Sequence, residues 1–470
     1  MSTADPTTYD ALIRRGALAP PHGPRARGGV DGAPAALPQP REDCPPAPAG
    51  VSSGVNLEPG SNDDGWEVPP PVRLSDGTDV RLYKDGEALH AGFEAIRAAE
   101  RRVCLETYIF ADDRTGHAFA DLLCEKARAG VSVYCIYDSF GSLGAAGLWR
   151  AKPEMFAEMA RCGVRLQEFH PVRPWEGRFS WRPANRDHRK MIVVDDLVAG
   201  MGGLNIGTEY AGSWVGRAVR GPTRRRGKLF GSKAPSGADA SCDFWRDTGI
   251  SFRGPGAHVL LRSFARTWNY LVHGGRIGRA ELRHALAPAD GPLGVLASVP
   301  TLDSPLRPFL CHLFRSARAS IAMTMAYFAP DEDLVRELIA AAKRGVRVRL
   351  VLPGRSDVKA LIVAARSFYE RLMDAGVEVY ERQGAVLHAK TMVIDGHTSV
   401  VGSANLDARS TEFNTELSAI VRDDTFGRQM LELFENDVRF SKRIDPAEWR
   451  SRPWRDRAIQ WAVIRGRYLL

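Results

Sequence analysis

The sequence predicts an α/β protein built from two related halves. One stretch, from His188 to Asn205, returns as His388 to Asn405 with the same internal spacing. Around each copy, short β-branched runs alternate with segments that have the apolar spacing of helices, in the same order in both halves. With 470 residues, 44% of them hydrophobic, the chain is long and apolar enough for real cores.

The first half should begin near Val72. Its predicted elements are a helix at 86–98, a strand at 103–110, a helix at 116–129, a strand at 131–138, a helix at 152–162 and a strand at 164–169. Strand–helix–strand order predicts a parallel sheet with crossover helices. A further strand should follow Trp245 and end before Gly254.

The second half repeats this order. Its predicted elements are a strand at 320–328, a helix at 331–343, a strand at 346–352, a helix at 362–375 and a strand at 377–381. The Ala-Gly-Val at 129–131 matches the Arg-Gly-Val at 344–346, and the Cys-Gly-Val at 162–164 matches the Ala-Gly-Val at 375–377. These matches support two related halves rather than two unrelated domains.

The two halves differ just before the repeated stretch. Gly163 and His188 are 25 positions apart, whereas Gly376 and His388 are 12 apart, so 171–187 contains an insertion. The insertion carries Trp175, Arg178, Trp181 and Arg182. Because it lies on the approach to the first copy, we expect it to influence substrate choice.

Composition limits the class of partner. The formal charge of +8 and the pI of about 9.2 favour anionic partners, either phospholipid headgroups or nucleic acid. Seven cysteines without a Cys-x-x-Cys motif are typical of reduced core thiols in a cytosolic protein. No set of Cys, His and carboxylates has zinc spacing, so we predict no metal and no other cofactor.

Two terminal segments and one loop stand apart in composition. Residues 1–65 are rich in Pro, Gly and Ala and are predicted to form a disordered arm. The basic loop 213–240 is either a solvated linker or an attraction site for anionic lipid. The segment 446–470 carries Trp and Arg, which suits either an interfacial segment or a packed terminal helix. The halves themselves are assigned to 66–285 and 286–445.

The sequence predicts peripheral membrane contact at most. It contains neither an apolar signal-peptide core nor 18 consecutive apolar residues, so we expect no signal peptide and no transmembrane helix. A cytoplasmic protein bound to the inner face of the cell membrane is the expected location. The oligomeric state stays open.

The repeated stretch concentrates groups that suit phosphate chemistry. Both copies read His-x-Lys-x-x-x-x-Asp, followed by an Asn 17 positions after the His: His188, Lys190, Asp195 and Asn205, then His388, Lys390, Asp395 and Asn405. Lysine neutralises phosphate oxygens, asparagine donates a hydrogen bond, and histidine attacks phosphorus or moves a proton. Agreement at four positions in two copies favours catalysis over a merely duplicated fold.

These residues resemble the phospholipase D superfamily, whose His-Lys-Asp signature occurs twice. The resemblance covers roughly residues 70–445 and implies two pseudo-symmetric α-β-α sandwich halves that share one active site. It also implies a phosphohistidine intermediate on one His while the other serves as acid and base. A carboxylate that holds each imidazole is implied as well, and Asp247 and Glu416 are the candidates. Asp195 and Asp395 end their strands, which favours a structural role for them within the motif.

Several local strings are similar to bacterial cardiolipin synthases of the type without N-terminal transmembrane helices. They are Glu-Thr-Tyr-Ile-Phe at 106–110, Asp-Ser-Phe-Gly at 138–141, Arg-Asp-His-Arg-Lys at 186–190, Gly-Gly-Leu-Asn at 202–205 and Trp-Arg-Asp at 245–247. Glu106 and Asp138 close strands that lead toward the site, so they either bind acceptor hydroxyls or act as ordinary strand-end caps.

The resemblance implies transfer of a phosphatidyl group between two phosphatidylglycerol molecules, which yields cardiolipin and glycerol. His188 is favoured as the nucleophile. Three alternatives stay open: a lipid hydrolase that forms phosphatidic acid, a nuclease of the same superfamily, and a non-catalytic membrane adaptor. The lipid-type strings favour phospholipid over nucleic acid, and the intact His and Lys in both copies argue against the adaptor.

Overall fold

A computed structural model describes residues 65–143, 152–173, 175, 184–212, 245–273, 291–298 and 304–465. Within these residues, the strands form two eight-stranded sheets and a small two-stranded one. Residues 1–64 of the predicted arm, the basic loop 213–240, and Arg178, Trp181 and Arg182 of the insertion lie outside the described residues.

The first sheet has the order β1-β2-β9-β7-β6-β3-β4-β5. Its strands are β1 Val72–Arg73, β2 Asp79–Lys84, β3 Arg102–Thr107, β4 Ser132–Asp138, β5 Arg165–Phe169, β6 Met191–Val194, β7 Val198–Gly202 and β9 Thr248–Arg253. Between β7 and β9 in the chain lies β8, Trp245–Arg246, which belongs to the two-stranded sheet.

The second sheet has the order β10-β17-β16-β15-β11-β12-β13-β18. Its strands are β10 Leu293–Ser298, β11 Ser320–Met325, β12 Arg347–Pro353, β13 Glu378–Arg382, β15 Lys390–Ile394, β16 Thr398–Gly402, β17 Glu416–Arg422 and β18 Ser441–Arg443. Leaving aside the edge strands β1 and β18, the two orders correspond strand for strand, which confirms the predicted pseudo-symmetry.

Both sheets are mixed rather than parallel, which corrects the sequence-based expectation. The crossover units β3-β4-β5 and β11-β12-β13 are parallel, as predicted. The motif strands β6 and β15 instead pair antiparallel with β3 and β11, and each forms a hairpin with the strand that follows. A turn of a few residues can join only antiparallel neighbours, so the hairpins reverse the chain direction.

Helices cover the sheets. Those of the first half are α1 Glu87–Arg97, α2 Arg114–Arg128, α3 Ser139–Leu143, α4 Glu154–Arg161 and α5 Pro255–Val272. Those of the second half are α6 Leu306–Ser316, α7 Glu332–Lys343, α8 Lys359–Arg366, α9 Tyr369–Asp374, α10 Asp424–Arg439, α11 Pro446–Arg450 and α12 Trp454–Arg465. The predicted helix 362–375 is therefore two helices, which separate at Ser367 and Phe368.

The matched glycines end the helices that precede the parallel strands. Gly130, Gly163, Gly345 and Gly376 have φ angles of 91°, 96°, 89° and 93°. This left-handed conformation, which L side chains adopt at a cost, turns the chain from the helix into the next strand. The sequence match at these positions thus reflects a shared backbone requirement.

The two halves share a hydrophobic core. Buried side chains of α5, such as Phe264 and Trp268, and of α10, such as Phe426 and Phe434, belong to one cluster with residues from both sheets. The outer faces of the sheets carry separate cores under α1, α2 and α4 and under α6 and α7. The described elements pass from the first sheet to the second between Val272 and Leu293, an interval that contains the predicted boundary at 285/286.

Candidate active site

The two motif histidines lie where the halves meet, and each is held by backbone from the other half. The His188 amide donates to the Thr415 carbonyl over 2.9 Å, and the His388 amide donates to the Arg246 carbonyl over 2.8 Å. β8 pairs with β14, Val386–Leu387, just before His388. Each motif therefore reaches its position only once both halves have folded against each other.

The carboxylates that hold the imidazoles are also exchanged between halves. Nδ1 of His188 lies 3.0 Å from both oxygens of Glu416, and Nδ1 of His388 lies 2.7 Å from Oδ2 of Asp247. Because a carboxylate only accepts hydrogen bonds, Nδ1 of each imidazole carries the proton. Nε2 is then the ring nitrogen left for substrate.

The equivalent positions 203 and 403, two residues before each motif Asn, hold a glycine and a serine. Each of these residues suits the carboxylate beside it. A Cβ placed at Gly203 would lie 2.1 Å from Oδ1 of Asp247, so only glycine fits there. The equivalent Ser403 donates through Oγ to Glu416 Oε2 over 2.5 Å. Ser410 adds a hydroxyl donor 2.8 Å from Glu416 Oε1.

These surroundings give the two carboxylates different protonation behaviour. Burial by itself would raise the pKa of Glu416, but the contact with His188, the charge of Lys190 and the Ser403 hydroxyl hold its pKa below the usual value. Burial raises the pKa of Asp247 to about 6, against the opposing charge of Lys390. Glu416 is therefore more fully ionised at neutral pH than Asp247.

The motif lysines lie beside the imidazoles, and all four side chains are buried. The Nζ of Lys190 donates to the His188 carbonyl over 2.6 Å, and the Nζ of Lys390 donates to the His388 carbonyl. Burial lowers the pKa of Lys190 to about 7 and that of Lys390 to about 8. A bound phosphate anion would reverse part of this shift by favouring the charged ammonium.

Burial also lowers the pKa of both imidazoles. Lys390 contributes to the lowering at His188, and Lys190 and His188 contribute to it at His388. Because charged groups of each motif copy lower the pKa of the imidazole in the other copy, the two copies lie close together. The structure therefore brings His188, Lys190, His388 and Lys390 together, as the sequence predicted.

Asn205 contacts protein groups through its side chain, and Asn405 does so through its backbone amide. Oδ1 of Asn205 accepts from the Ile109 amide over 3.1 Å, and its Nδ2 donates to the Tyr210 hydroxyl over 2.9 Å. The backbone amide of Asn405 donates to Ser410 Oγ over 3.1 Å. Both side chains are buried beside the centre, and phosphate binding by their amides stays a prediction.

The motif aspartates lie at the far ends of their strands. Asp195 accepts from the amides of Glu100, Arg101 and Arg102, and Asp395 accepts from those of Arg318, Ala319 and Ser320. Each aspartate is five positions after its motif lysine, a span of about 17 Å at 3.3 Å per residue of strand. The geometry therefore gives them a structural role, anchoring the entry to β3 and β11, rather than contact with the reacting atoms.

The surroundings of Asp138 favour the strand-end-cap interpretation, whereas binding of acceptor hydroxyls by Glu106 or Asp138 stays a prediction. Both are fully buried. Asp138 accepts from the Gly141 and Asp187 amides over 2.9 and 2.8 Å, as a strand-end cap does. Burial raises the pKa of Glu106 well above its usual value, and Asp187 adds to this effect. Their side chains stabilise the wall behind the site.

Aromatic rings that the sequence analysis did not single out surround the imidazoles. The Tyr108 ring lies 5.1 Å from the His188 ring, and the Nζ of Lys190 lies 5.1 Å from the centre of Tyr108. Tyr210 and Trp245 lie 5.4 and 5.1 Å from His388. Tyr108 and Trp245 lie within the segments 106–110 and 245–247, which are similar to bacterial cardiolipin synthases. This similarity was the one feature of the sequence that pointed to them.

A buried ion pair next to the site ties the halves together. Arg246 donates from Nε and Nη2 to the two oxygens of Asp437 over 2.7 and 2.8 Å. The Nζ of Lys84 donates to Oδ1 of the adjacent Asn436 over 3.0 Å. Since Arg246 directly precedes Asp247, this pair fixes the strand that presents Asp247 to His388.

The arrangement suits displacement at a phosphodiester. Two Nε2 atoms flank the centre, one to attack phosphorus and one to exchange a proton with the ester oxygens. Two ammonium groups are positioned to stabilise charge on the non-bridging oxygens.

Comparisons with known proteins agree with this geometry. Residues 310–438 match the domain family described as "Cardiolipin synthase, PLD-like domain". The cardiolipin synthase of Geobacillus kaustophilus is 33% identical over 394 residues, which cover 83% of this chain and 72% of the relative. The probable cardiolipin synthase YwiE of Bacillus subtilis is 29% identical over 388 residues, 82% of this chain and 71% of the relative.

A solved structure shares the fold. The crystal structure of phosphatidylserine synthase from Haemophilus influenzae aligns with a TM-score of 0.60 at 12% identity, covering 85% of this chain and 97% of that one. At this identity the likeness concerns the fold alone. Together with the paired motifs and the crossed dyads, the sequence matches show that the chain belongs to the cardiolipin synthase family of phospholipase D-like enzymes.

Proposed function

We propose that this protein is a phosphatidyltransferase that joins two phosphatidylglycerol molecules into cardiolipin and releases glycerol. The observation that carries the proposal is the single buried centre in which each motif imidazole is held by a carboxylate of the opposite half and faces two lysines. Membership of the cardiolipin synthase family supports phospholipid, and phosphatidylglycerol in particular, as the substrate.

The first half-reaction forms a phosphatidyl-histidine. Nε2 of His188 attacks phosphorus while the bond to the glycerol oxygen breaks, and His388 gives that oxygen its proton. His188 suits the nucleophile because Glu416 remains anionic and holds Nδ1–H, which leaves the Nε2 electron pair directed at substrate. The phosphate anion raises the pKa of His388 relative to the empty site, so that this imidazole is protonated when substrate is bound.

The second half-reaction reverses the roles. The hydroxyl of a second phosphatidylglycerol loses its proton to Nε2 of His388 and forms a new bond to phosphorus. The phosphorus–nitrogen bond breaks, and its electron pair returns to His188. Each step exchanges one phosphoester or phosphoramidate for another, so no nucleotide is consumed.

We further propose that the protein contacts the membrane surface from one side. Among the described helices, none has both the length and the apolar character needed to cross a bilayer. Phe140 and Trp175, which follow β4 and β5, are 42% and 70% exposed. Helix α12 packs against α8 yet leaves Trp454 and Trp461 exposed, so the packed and the interfacial interpretation of this segment both retain support. Exposed aromatic rings of this kind are suited to headgroup depth.

The test is mass spectrometry of lipids after incubation of purified protein with phosphatidylglycerol vesicles in EDTA, beside the His388→Ala variant. Cardiolipin and free glycerol from the unmodified protein alone are expected. Phosphatidic acid in place of cardiolipin would make the protein a lipid hydrolase. Lipid left unchanged, together with cleavage of DNA, would make it a nuclease.

A further inference from the structure

The mouth of the active site is not symmetric in charge. Glu209 and Arg409 occupy equivalent places, each 21 positions after its motif His and four after its Asn. The His, Lys, Asp and Asn of the motif are the same in both copies, but here an acidic residue in one copy replaces a basic residue in the other. The difference indicates that one half has a binding role that the other half lacks.

Contacts of the neighbouring residues locate the two charges. Ser410, next to Arg409, donates to Glu416 Oε1 over 2.8 Å, and Glu416 holds His188. Tyr210, next to Glu209, has its ring 5.4 Å from that of His388. Arg409 therefore lies on the His188 side of the mouth, and Glu209 lies on the His388 side.

The two charges have different surroundings. Both side chains are half-buried, and within the described ranges neither is part of an ion pair, although the charge of Arg409 acts on the nearby Asp407 and Tyr108. The charges nearest to Glu209 are themselves acidic, namely Asp113 and Asp357. Asp357 accepts from the Tyr327 hydroxyl over 2.7 Å, and the Tyr327 ring lies 6.1 Å from His388. The His388 side is thus negative, and an anion entering the mouth is drawn toward Arg409.

The reaction brings two phosphates together, but the positive charge of the two motif lysines is sufficient to bind only one phosphate. The two motif lysines are balanced by Asp247 and Glu416, so the empty centre is close to neutral. A single phosphodiester occupies it during each displacement. The acceptor phosphatidylglycerol carries a second phosphate, three carbons from its attacking hydroxyl, and that group lies outside the centre.

We propose that Arg409 binds the phosphate of the acceptor lipid and thereby selects a phosphate-bearing alcohol over a neutral one. This inference rests on the proposed function. A guanidinium presents paired N–H donors to phosphate oxygens, and a half-buried site strengthens the contact relative to one in water. Arg409 is a specificity residue of the second half-reaction and takes no part in bond making.

The experiment exploits two alcohols that compete for one intermediate. Phosphatidylglycerol vesicles are incubated with labelled free glycerol, which exchanges into the lipid headgroup and has no phosphate. Labelled phosphatidylglycerol and cardiolipin both arise from the phosphatidyl-histidine, so their ratio depends on the acceptor step alone. We compare the unmodified protein with the Arg409→Gln and Arg409→Lys variants. Arg428→Gln is the matched control, because it removes a positive charge from the exposed face of α10.

Arg409→Gln is expected to lower the ratio of cardiolipin to labelled phosphatidylglycerol about 10- to 100-fold, with exchange into glycerol within about twofold of the unmodified protein. Arg409→Lys should recover part of the ratio, and Arg428→Gln should leave it unchanged. An unchanged ratio in Arg409→Gln, or an equal loss of both products, would overturn the proposed role of Arg409 and leave the proposed function intact. An unmodified protein that forms neither product would overturn the proposed function, and this assignment with it.

Discussion

Replacing Glu416 with glutamine tests the crossed dyad directly. The side chain keeps its size, but the carboxylate that lies 3.0 Å from Nδ1 of His188 becomes a neutral amide. Its amide nitrogen can donate to Nδ1 and stabilise the imidazole tautomer with the proton on Nε2. That tautomer has no electron pair directed at phosphorus, so the nucleophile is lost for part of the time.

The expected loss follows from the character of this contact. A hydrogen bond to a charged group in a buried site is worth about 1.5–3 kcal/mol, and Glu416 is 1% exposed. If this term is lost from the transition state, turnover falls about 10- to 150-fold. The remaining hydroxyl contacts from Ser403 and Ser410 can be kept by an amide, so the variant should still unfold cooperatively.

The assay is the initial rate of cardiolipin formation from phosphatidylglycerol vesicles at pH 7, with unfolding followed by circular dichroism. Glu448→Gln is the matched control, because it removes the same charge from a side chain that is 67% exposed. It should retain the full rate. A folded Glu416→Gln protein that works within twofold of the unmodified rate would refute the claim that Glu416 orients the nucleophile.

Three further predictions follow from the same geometry. His188→Ala and His388→Ala should each lower turnover by about 1,000-fold while the protein remains folded, and full activity in either would refute a shared site. The pH profile of kcat/KM should be bell-shaped: it falls below about pH 6, where Asp247 gains a proton, and above about pH 7 to 8, where Lys190 and then Lys390 lose theirs. A flat profile from pH 5 to 9 would contradict these shifts. Asp437→Ala leaves Arg246 buried without its bidentate partner and should lower the free energy of unfolding by about 3–5 kcal/mol in a denaturant titration; a loss under about 1 kcal/mol would show that the pair does not hold the halves together.

Local signals in the sequence were sufficient for most of the fold. Apolar periodicity and β-branched runs located the strands and helices next to the two motifs to within a few residues, because burial of one face imposes those patterns on neighbouring positions. Helix 362–375 was the exception. Its apolar spacing continues through Ser367 and Phe368, where the structure separates two helices, and periodicity alone does not report such a break. The elements β2, β10, α5, α6 and α10 were not predicted from the sequence.

The parts of the site that depend on distant contacts were less accessible. Glu106 and Asp138 are both buried near the site, where backbone amides bind the carboxyl of Asp138 and Arg189 lies 3.7 Å from that of Glu106. Arg409 and Glu209 attracted no notice, since a single charged residue in a loop is ordinary until its neighbours in space are known. Their significance comes from Ser410, which donates to the carboxylate that holds His188, and from Tyr210, whose ring lies beside that of His388.

The sequence by itself predicted His188, Lys190, His388 and Lys390 as the reacting groups, because the motif recurs at identical spacing and each copy alone is chemically incomplete. It also nominated Asp247 and Glu416 through the resemblance. Only the tertiary structure decided that each carboxylate serves the imidazole of the other half, since that pairing joins residues 228 and 141 positions apart. The physical reason is that local patterns record burial and backbone geometry, whereas partnership across the interface is set by how the two sheets pack.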